Sequence, residues 1–342
     1  MRDPGVGDVL DGHRIEALLA RGGMASVFRA VDEASGDPVA LKVPHMQYEA
    51  DVVFYERFRR EEEMALRLDH PNLVRARPPP REKTRVYLIM EYVDGVSLAE
   101  LLGGGPLPPA QAVEIARQSC DALAYLHAHG VVHRDVKPGN VLLTREGHVK
   151  LLDLGIAHVE TARRLAITDL SASIGTPDYM TPEQMQGRAG DARVDLFALG
   201  TMLYEMLTGR LPYAGGGWEA RARAKRLGAP TPPSAHVPEL HPGLESIVMK
   251  AIDPVLEERY ASAVDLLADL RDPSAVAPRD LTRAAVRRTP RLDPRPVAAL
   301  LAILAALSVV GGVGWLAHRR GLETSTTSPA AGAPPRTAAR PP

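Results

Sequence analysis

The sequence predicts an α+β protein whose strands come first and whose helices follow, with one membrane-spanning helix near the C-terminus. Three observations carry this. Short apolar runs separated by turn residues crowd the stretch from Ile15 to Met90. Helical patterns then occupy Ala110–His129, Asp195–Leu207, Leu244–Ile252 and Ala261–Leu270. Last, Val297–Ala317 carries no charge, and as a helix it would span about 31 Å, against roughly 30 Å of bilayer hydrocarbon.

Composition narrows the function classes. A chain of 342 residues can hold a sizeable core. Its net charge of −1 gives no reason to expect a nucleic-acid partner. Aromatics make up only 4%, so the core must rest on Leu, Val, Ala and Met. The single cysteine, Cys120, excludes an internal disulfide framework and any multi-cysteine metal site. It shares a helix face with Ala116, Leu123 and His127 and reads as a packing residue. No apolar signal region follows Met1, so the bulk of the chain is expected in the cytosol.

Taken in order, Ile15–Arg21, Ala25–Val31 and Val39–Val43 read as strands, with Ser35-Gly36-Asp37-Pro38 as the turn before the third. Small residues cluster between the first two, in Ala20-Arg21-Gly22-Gly23-Met24-Ala25-Ser26-Val27. Lys42 interrupts the apolar third strand. Phe54–Leu68 is helical, with Phe54, Phe58, Ala65 and Leu68 on one stripe. Glu61 falls on that stripe, whereas Glu62 and Glu63 turn toward Arg59, Arg60 and Arg67. A carboxylate on a buried face needs a positive partner to offset desolvation, and Lys42 is the obvious candidate. Leu73-Val74 starts another strand, Pro78–Pro80 forces a loop, and Val86–Met90 is a buried strand.

The chemistry concentrates in His133–Asn140, a polar octet (His-Arg-Asp-Val-Lys-Pro-Gly-Asn) between the strand-like runs Val131-Val132 and Val141-Leu142-Leu143. Val149–Leu152 then completes a hairpin that closes on Asp153-Leu154-Gly155. Asp135, Asn140 and Asp153 thus sit on loop ends of one small sheet. Mg²⁺ favours oxygen ligands of this kind. Ile156–Ile174 is a long, polar stretch without a sustained period. Asp195–Leu207 is apolar nearly all round, the pattern of a buried helix. Asp195 heads it as a candidate cap, and Gly209 is a candidate C-cap.

The octet, Val39-Ala40-Leu41-Lys42-Val43, Asp153-Leu154-Gly155 and Gly175–Glu183 together resemble the eukaryotic-like, Hanks-type protein kinases, in particular bacterial serine/threonine members with a membrane anchor. The resemblance covers roughly His13–Asp272. It implies a bilobal protein-kinase-like fold, with a β-rich N-lobe at 13–93 and an α-helical C-lobe at 97–271, after an N-terminal extension at 1–12. ATP and Mg²⁺, with Mn²⁺ as an alternative, would occupy the cleft. Ala20, Arg21, Gly22, Gly23 and Val27 match the phosphate-covering Gly-rich loop, although Ala20 and Ala25 stand where two glycines are usual. Ala40, Glu91, Val93 and Leu142 would frame the adenine, with Met90 as gatekeeper. Lys42, held by Glu61, would bind the α- and β-phosphates. Asn140 and Asp153 would hold the metal. Asp135 would act on the substrate hydroxyl and Lys137 on the γ-phosphate, the latter in a context resembling serine/threonine specificity. Arg134 marks kinases switched by phosphorylation between Gly155 and Gly175, where Thr168 and Ser171 are the favoured hydroxyls. Arg259 would pair with Glu183, and Asp195 would brace the octet's backbone.

Past the kinase-like region, 272–296 is an Arg- and Pro-rich juxtamembrane linker. Its arginines outnumber Arg319 and Arg320, which places the N-terminal side of the 297–317 helix in the cytoplasm and the short Ala/Pro-rich tail at 318–342 outside. Expected partners are ATP, proteins bearing Ser or Thr, and the membrane; a homodimer is compatible with the sequence. Two rivals differ in class: a membrane-tethered pseudokinase acting as a binding module, and a small-molecule kinase of related fold. Lys42, Asp135 and Asp153 argue against the first, and Gly175–Glu183 against the second.

Overall fold

The computed structural model describes residues 2–49, 51–79, 83–153, 177–213, 218–227 and 230–280. The expected loop from Ile156 to Ile174, most of the linker, the expected helix at 297–317 and the expected tail lie outside the described residues. No helix among the described residues is long and apolar enough to cross a membrane.

The first lobe is built on an antiparallel sheet. Its strands are β1 (Val9–Leu10), β2 (His13–Arg21), β3 (Ala25–Asp32), β4 (Pro38–Pro44), β5 (Ala76–Arg77) and β6 (Leu88–Glu91), in spatial order β1-β2-β3-β4-β6-β5. Period-two alternation sorts β4 between two cores. Val39, Leu41 and Val43 join Ile15, Phe28, Tyr87 and Ile89 on one face. Ala40 joins Phe58, Ala76, Leu88 and Met90 on the other. Lys42, in phase with Ala40, therefore points toward the helix that covers this second face. That helix is α2 (Val52–Ala65), which follows the short α1 (Met46–Glu49). Asp51 caps it by accepting from the amides of Val53 (2.9 Å) and Phe54 (3.2 Å). Its buried residues are Phe58 and Glu61, two members of the expected stripe. The helix stops at Ala65, short of the expected Leu68.

The second lobe is helical. After β7 (Gly95–Ser97) and α3 (Leu98–Leu102) come α4 (Pro109–Ala128), β8 (Val141–Thr144) and β9 (Val149–Leu151). Next are α5 (Arg193–Thr208), α6 (Trp218–Leu227), α7 (Pro242–Ala251) and α8 (Ala263–Arg271). Strands β7, β8 and β9 form a separate small sheet. The anticipated hairpin Val141–Leu152 is present, and Gly95–Ser97 adds an edge strand not expected there. Val131-Val132 is not a strand: the Val131 amide bonds the Leu126 carbonyl at the end of α4 instead (2.9 Å). Leu73 makes only an isolated bridge to Leu151 rather than opening a strand.

Helix α5 runs through the centre of this lobe and is buried along almost its whole length. It ends in a left-handed Gly209, φ 66°, as the C-cap pattern expects. Cys120 is buried on α4, donating to the Ala263 carbonyl at 3.3 Å, and burial pushes its thiol up to about 12. It is a packing residue. At Gly200 a Cβ would lie 2.5 Å from the Cβ of Ala251 and 3.0 Å from the Cγ2 of Ile252, so α5 and α7 meet where only hydrogen fits. Gly200→Val should therefore destabilise the protein by about 2 kcal/mol or more, measured as a lowered denaturation midpoint, whereas Gly209→Asn should cost less.

Candidate active site

Three charged side chains meet between the lobes. Lys42 Nζ lies 2.7 Å from Glu61 Oε1 and 2.9 Å from Asp153 Oδ1. Glu61 is only 4% exposed, so its charge depends on this contact. Burial pulls the Lys42 pKa down, but Asp153 and Glu61 outweigh it and hold the ammonium well above its ordinary range. Strand β4, helix α2 and the segment after β9 are thereby tied to one cation.

The octet forms the second half of the site. Asp135 Oδ2 accepts from Lys137 Nζ (2.7 Å) and Asn140 Nδ2 (2.9 Å), and Asn140 Nδ2 also donates to the Asp135 carbonyl (2.8 Å). Local backbone strain accompanies this arrangement: Arg134 sits at φ 65° and Asp153 at φ 47°. Both are held by bonds from outside. Fully buried Asp195 accepts from the amides of His133 (2.9 Å) and Arg134 (2.7 Å), and from His127 Nε2 (2.8 Å). His133 Nε2 pairs with the Leu152 carbonyl (2.8 Å), which ties the octet to the turn that carries Asp153. Asp195 is not a helix cap, as its place in the sequence suggested. It lies in the first turn of α5, and its carboxylate braces the octet's backbone as the resemblance implied.

The remaining expected residues are placed by the elements that carry them. Ala20 and Arg21 end β2, and the Gly22 amide bonds the Ala25 carbonyl (2.9 Å) to make a tight turn with Gly23 at its tip. Val27 pairs in register with Lys42, and Ala40 with Met90. Glu91 closes β6, Val93 lies in the link between lobes, and Leu142 lies on β8. Asp153 and Asn140 are the side chains that could offer oxygens to a divalent cation here. Because Asn140 turns its Nδ2 toward Asp135, its amide oxygen is directed elsewhere, available as a ligand. A carboxylate, an amide oxygen and nucleotide phosphates match the hard oxygen shell of Mg²⁺. Among the described residues no group of three His, Cys, Asp or Glu side chains forms a metal site without such phosphates.

Several contacts escaped the sequence. Glu62 does not face the arginines of its own helix; it pairs with Lys83, whose Nζ also bonds the Tyr87 carbonyl (2.6 Å), so α2 has a second tie to the sheet. Glu63 does meet Arg59, at 3.5 Å. Glu91 accepts from Lys150 Nζ (2.6 Å) and the Arg75 amide (3.0 Å). Lys83 lies 21 residues from Glu62 and Lys150 lies 59 from Glu91, so no local pattern could reveal these two pairs. Farther out, Arg259 makes the expected bidentate pair with Glu183 (2.7 and 2.9 Å). Tyr179 donates to Glu205, and burial together with that carboxylate pushes the phenol up.

A β-rich lobe over a helical one, with a Lys–Glu pair above and an Asp–Lys–Asn cluster below, defines the bilobal fold of protein kinases. The protein kinase domain model matches residues 13–264, and the chain belongs to the protein kinase family. It is 38% identical over 265 residues to the serine/threonine-protein kinase PknB of Mycolicibacterium smegmatis, covering 76% of this chain and 42% of that protein. To the probable serine/threonine-protein kinase SCO3848 of Streptomyces coelicolor it is 40% identical over 263 residues, covering 75% and 39%. The chain thus spans well under half the length of these relatives. The crystal structure of the Mycobacterium tuberculosis PknI kinase domain superposes with a TM-score of 0.62 at 26% identity, covering 80% of this chain and all of that one.

Asp195→Ala would leave two buried amides without an acceptor. It should cost about 3 kcal/mol in urea unfolding. A loss under about 1 kcal/mol would mean that the octet holds its shape without this carboxylate.

Proposed function

We propose that the chain is a membrane-anchored serine/threonine protein kinase, transferring the γ-phosphoryl group of ATP to hydroxyls of proteins. The observation that carries the reading is Lys42 shared between Glu61 and Asp153, one step from the Asp135–Lys137–Asn140 cluster. Phosphoryl transfer needs positioning and charge stabilisation more than covalent chemistry, and this cluster supplies both. Lys42 binds the α- and β-phosphates in a geometry set by Glu61. Asn140 and Asp153 hold Mg²⁺, or Mn²⁺ in its place, which when bound neutralises charge on the phosphates. Asp135 orients the incoming hydroxyl. As its oxygen bonds to the γ-phosphorus and the bond to the β-phosphate oxygen breaks, the hydroxyl proton passes to Asp135. Lys137 offsets charge developing on the transferred group. The turn Ala20–Val27 covers the phosphates, while Ala40, Glu91, Val93 and Leu142 frame the base.

The pseudokinase alternative would need one of these groups to be missing, and Lys42, Asp135 and Asp153 are all in place. Asp135→Asn should abolish transfer while leaving nucleotide binding nearly intact, and Lys42→Met should abolish transfer by misplacing the phosphates. Either variant keeping more than about a tenth of the wild-type rate would overturn these roles, since a positioned acid–base group is worth about 10²–10⁴-fold.

The anchor is the 297–317 helix, with the kinase in the cytoplasm and the tail outside; the support is the uncharged run and the arginines before it. The full chain should fractionate with membranes, and protease added to spheroplasts should reach only residues beyond Ala317. Cleavage of the kinase domain from that side would reverse the topology.

Regulation follows from Arg134. Its backbone is held by Asp195, while its buried Nε has no hydrogen-bond partner among the described residues. A phosphate on Thr168 or Ser171 would supply nearly two negative charges and several acceptors for such a group. Autophosphorylation in trans, by homodimers or by concentration in the membrane plane, is the proposed route. Mass spectrometry should find phosphate between Gly155 and Gly175 in wild type and none in Asp135→Asn. Full activity in Thr168→Ala/Ser171→Ala would defeat the switch.

A further inference from the structure

Helix α6 is largely polar, yet Lys225 on it is only 1% exposed. Its Nζ donates to the carbonyls of Pro177 (2.8 Å), Asp178 (2.5 Å) and Met180 (2.6 Å). Three carbonyls use all three donors of an ammonium. One turn earlier, Arg221 pairs with the Asp178 carboxylate at 3.0 Å. The ring of Phe197, from α5, lies 5.6 Å from the lysine Nζ and carries Arg259 at 4.8 Å. If α6 needed only to pack here, an apolar residue would avoid the cost of burying a charge. The backbone from Pro177 to Met180 is instead folded around a cation from a distant helix.

That backbone adjoins the catalytic cluster. Gln184 binds the Thr181 amide (2.9 Å), and its Nε2 reaches the Arg134 carbonyl (3.4 Å), one residue before Asp135. Tyr179 is fastened by Glu205. The shape of 177–180 is thus set from α6 on one side and transmitted toward Asp135 on the other.

We propose that Lys225 is a positioning residue that, by gathering the carbonyls of Pro177, Asp178 and Met180, shapes the surface on which a protein substrate docks and presents its hydroxyl to Asp135. The inference rests on the protein-kinase reading above. It also makes docking sensitive to pH. Burial pulls the Lys225 pKa down to about 7, with Arg221 acting the same way and Asp178 opposing. Among the described residues, the other charged groups against this region are the Glu183–Arg259 pair and Glu205 beside Tyr179. Above that pH a neutral amine keeps two donors for three carbonyls, so one is released. An arginine would stay charged throughout.

The test uses the full chain, labelled ATP and myelin basic protein as the probe substrate. Lys225→Met should raise KM for the protein about tenfold or more, while KM for ATP moves less than about twofold. In wild type the protein KM should rise between about pH 6 and 8.5, and in Lys225→Arg it should stay flat. A protein KM unchanged in Lys225→Met, or both KM values rising together, overturns the proposal. So does a wild-type pH profile that superposes on that of Lys225→Arg, and this comparison decides if the methionine variant does not fold. A wild-type chain that labels no protein overturns the kinase reading, and this inference with it; an active wild type with unmoved KM values overturns the inference alone.

Discussion

The site depends on one buried cation. Lys42 could not sit on the inner face of β4 without carboxylates to offset its desolvation, and neither Glu61 nor Asp153 could approach without it. Because the three come from a strand, a helix and the turn after β9, their mutual need places three pieces of backbone at once. Removing Lys42 takes away the cation that both carboxylates share, whereas removing either carboxylate leaves the ammonium paired with the other but frees one piece of backbone from it. Lys83, with its contacts to Glu62 and the Tyr87 carbonyl, adds a second tie between α2 and the sheet. With two ties on consecutive residues, α2 is held against rotation about its own axis.

The lower half obeys the same logic with different chemistry. The octet is irregular backbone up to the single turn Pro138–Asn140, and a non-glycine residue at positive φ stands within it, Arg134, with another, Asp153, in the turn tied to it. Such strain persists only where surroundings over-determine it. Asp195 does this from within α5, itself immobilised by burial on nearly every side. The segment from Pro177 to Glu183 is fastened to the same helix through Tyr179–Glu205, and through Glu183 to Arg259, which lies over the Phe197 ring of that helix. The octet and the segment from Pro177 to Glu183 therefore share one rigid reference.

Periodicity and burial explain what the sequence could disclose. Glu61 stood out because a carboxylate on an apolar helical stripe demands a cation, and Lys42 because it broke an apolar strand in phase with Ala40. The hairpin Val141–Leu152 was legible from its two apolar runs and the Glu146-Gly147 turn. Contacts between elements far apart in the chain left no such trace. Lys83 lies in a polar stretch where a lysine ordinarily meets water, Lys150 interrupts the apolar β9 with no local sign of its distant partner Glu91, and Lys225 sits in an arginine-rich helix. Local pattern alone makes Asp195 a cap, because caps are local; only the family resemblance points to its partners, which lie 62 and 61 residues earlier. Val131-Val132 looked like a strand because two β-branched residues in an apolar run carry that propensity. The end of α4 uses the Val131 amide instead.

The most direct test of the account is the chemical identity of the labelled residue. The full chain, incubated with Mg²⁺ and ATP labelled in the γ-phosphate, should place label on proteins, and acid hydrolysis should release it as phosphoserine and phosphothreonine. Omitting Mg²⁺ should abolish the signal. No labelled protein, or label recovered as phosphotyrosine, would contradict the account.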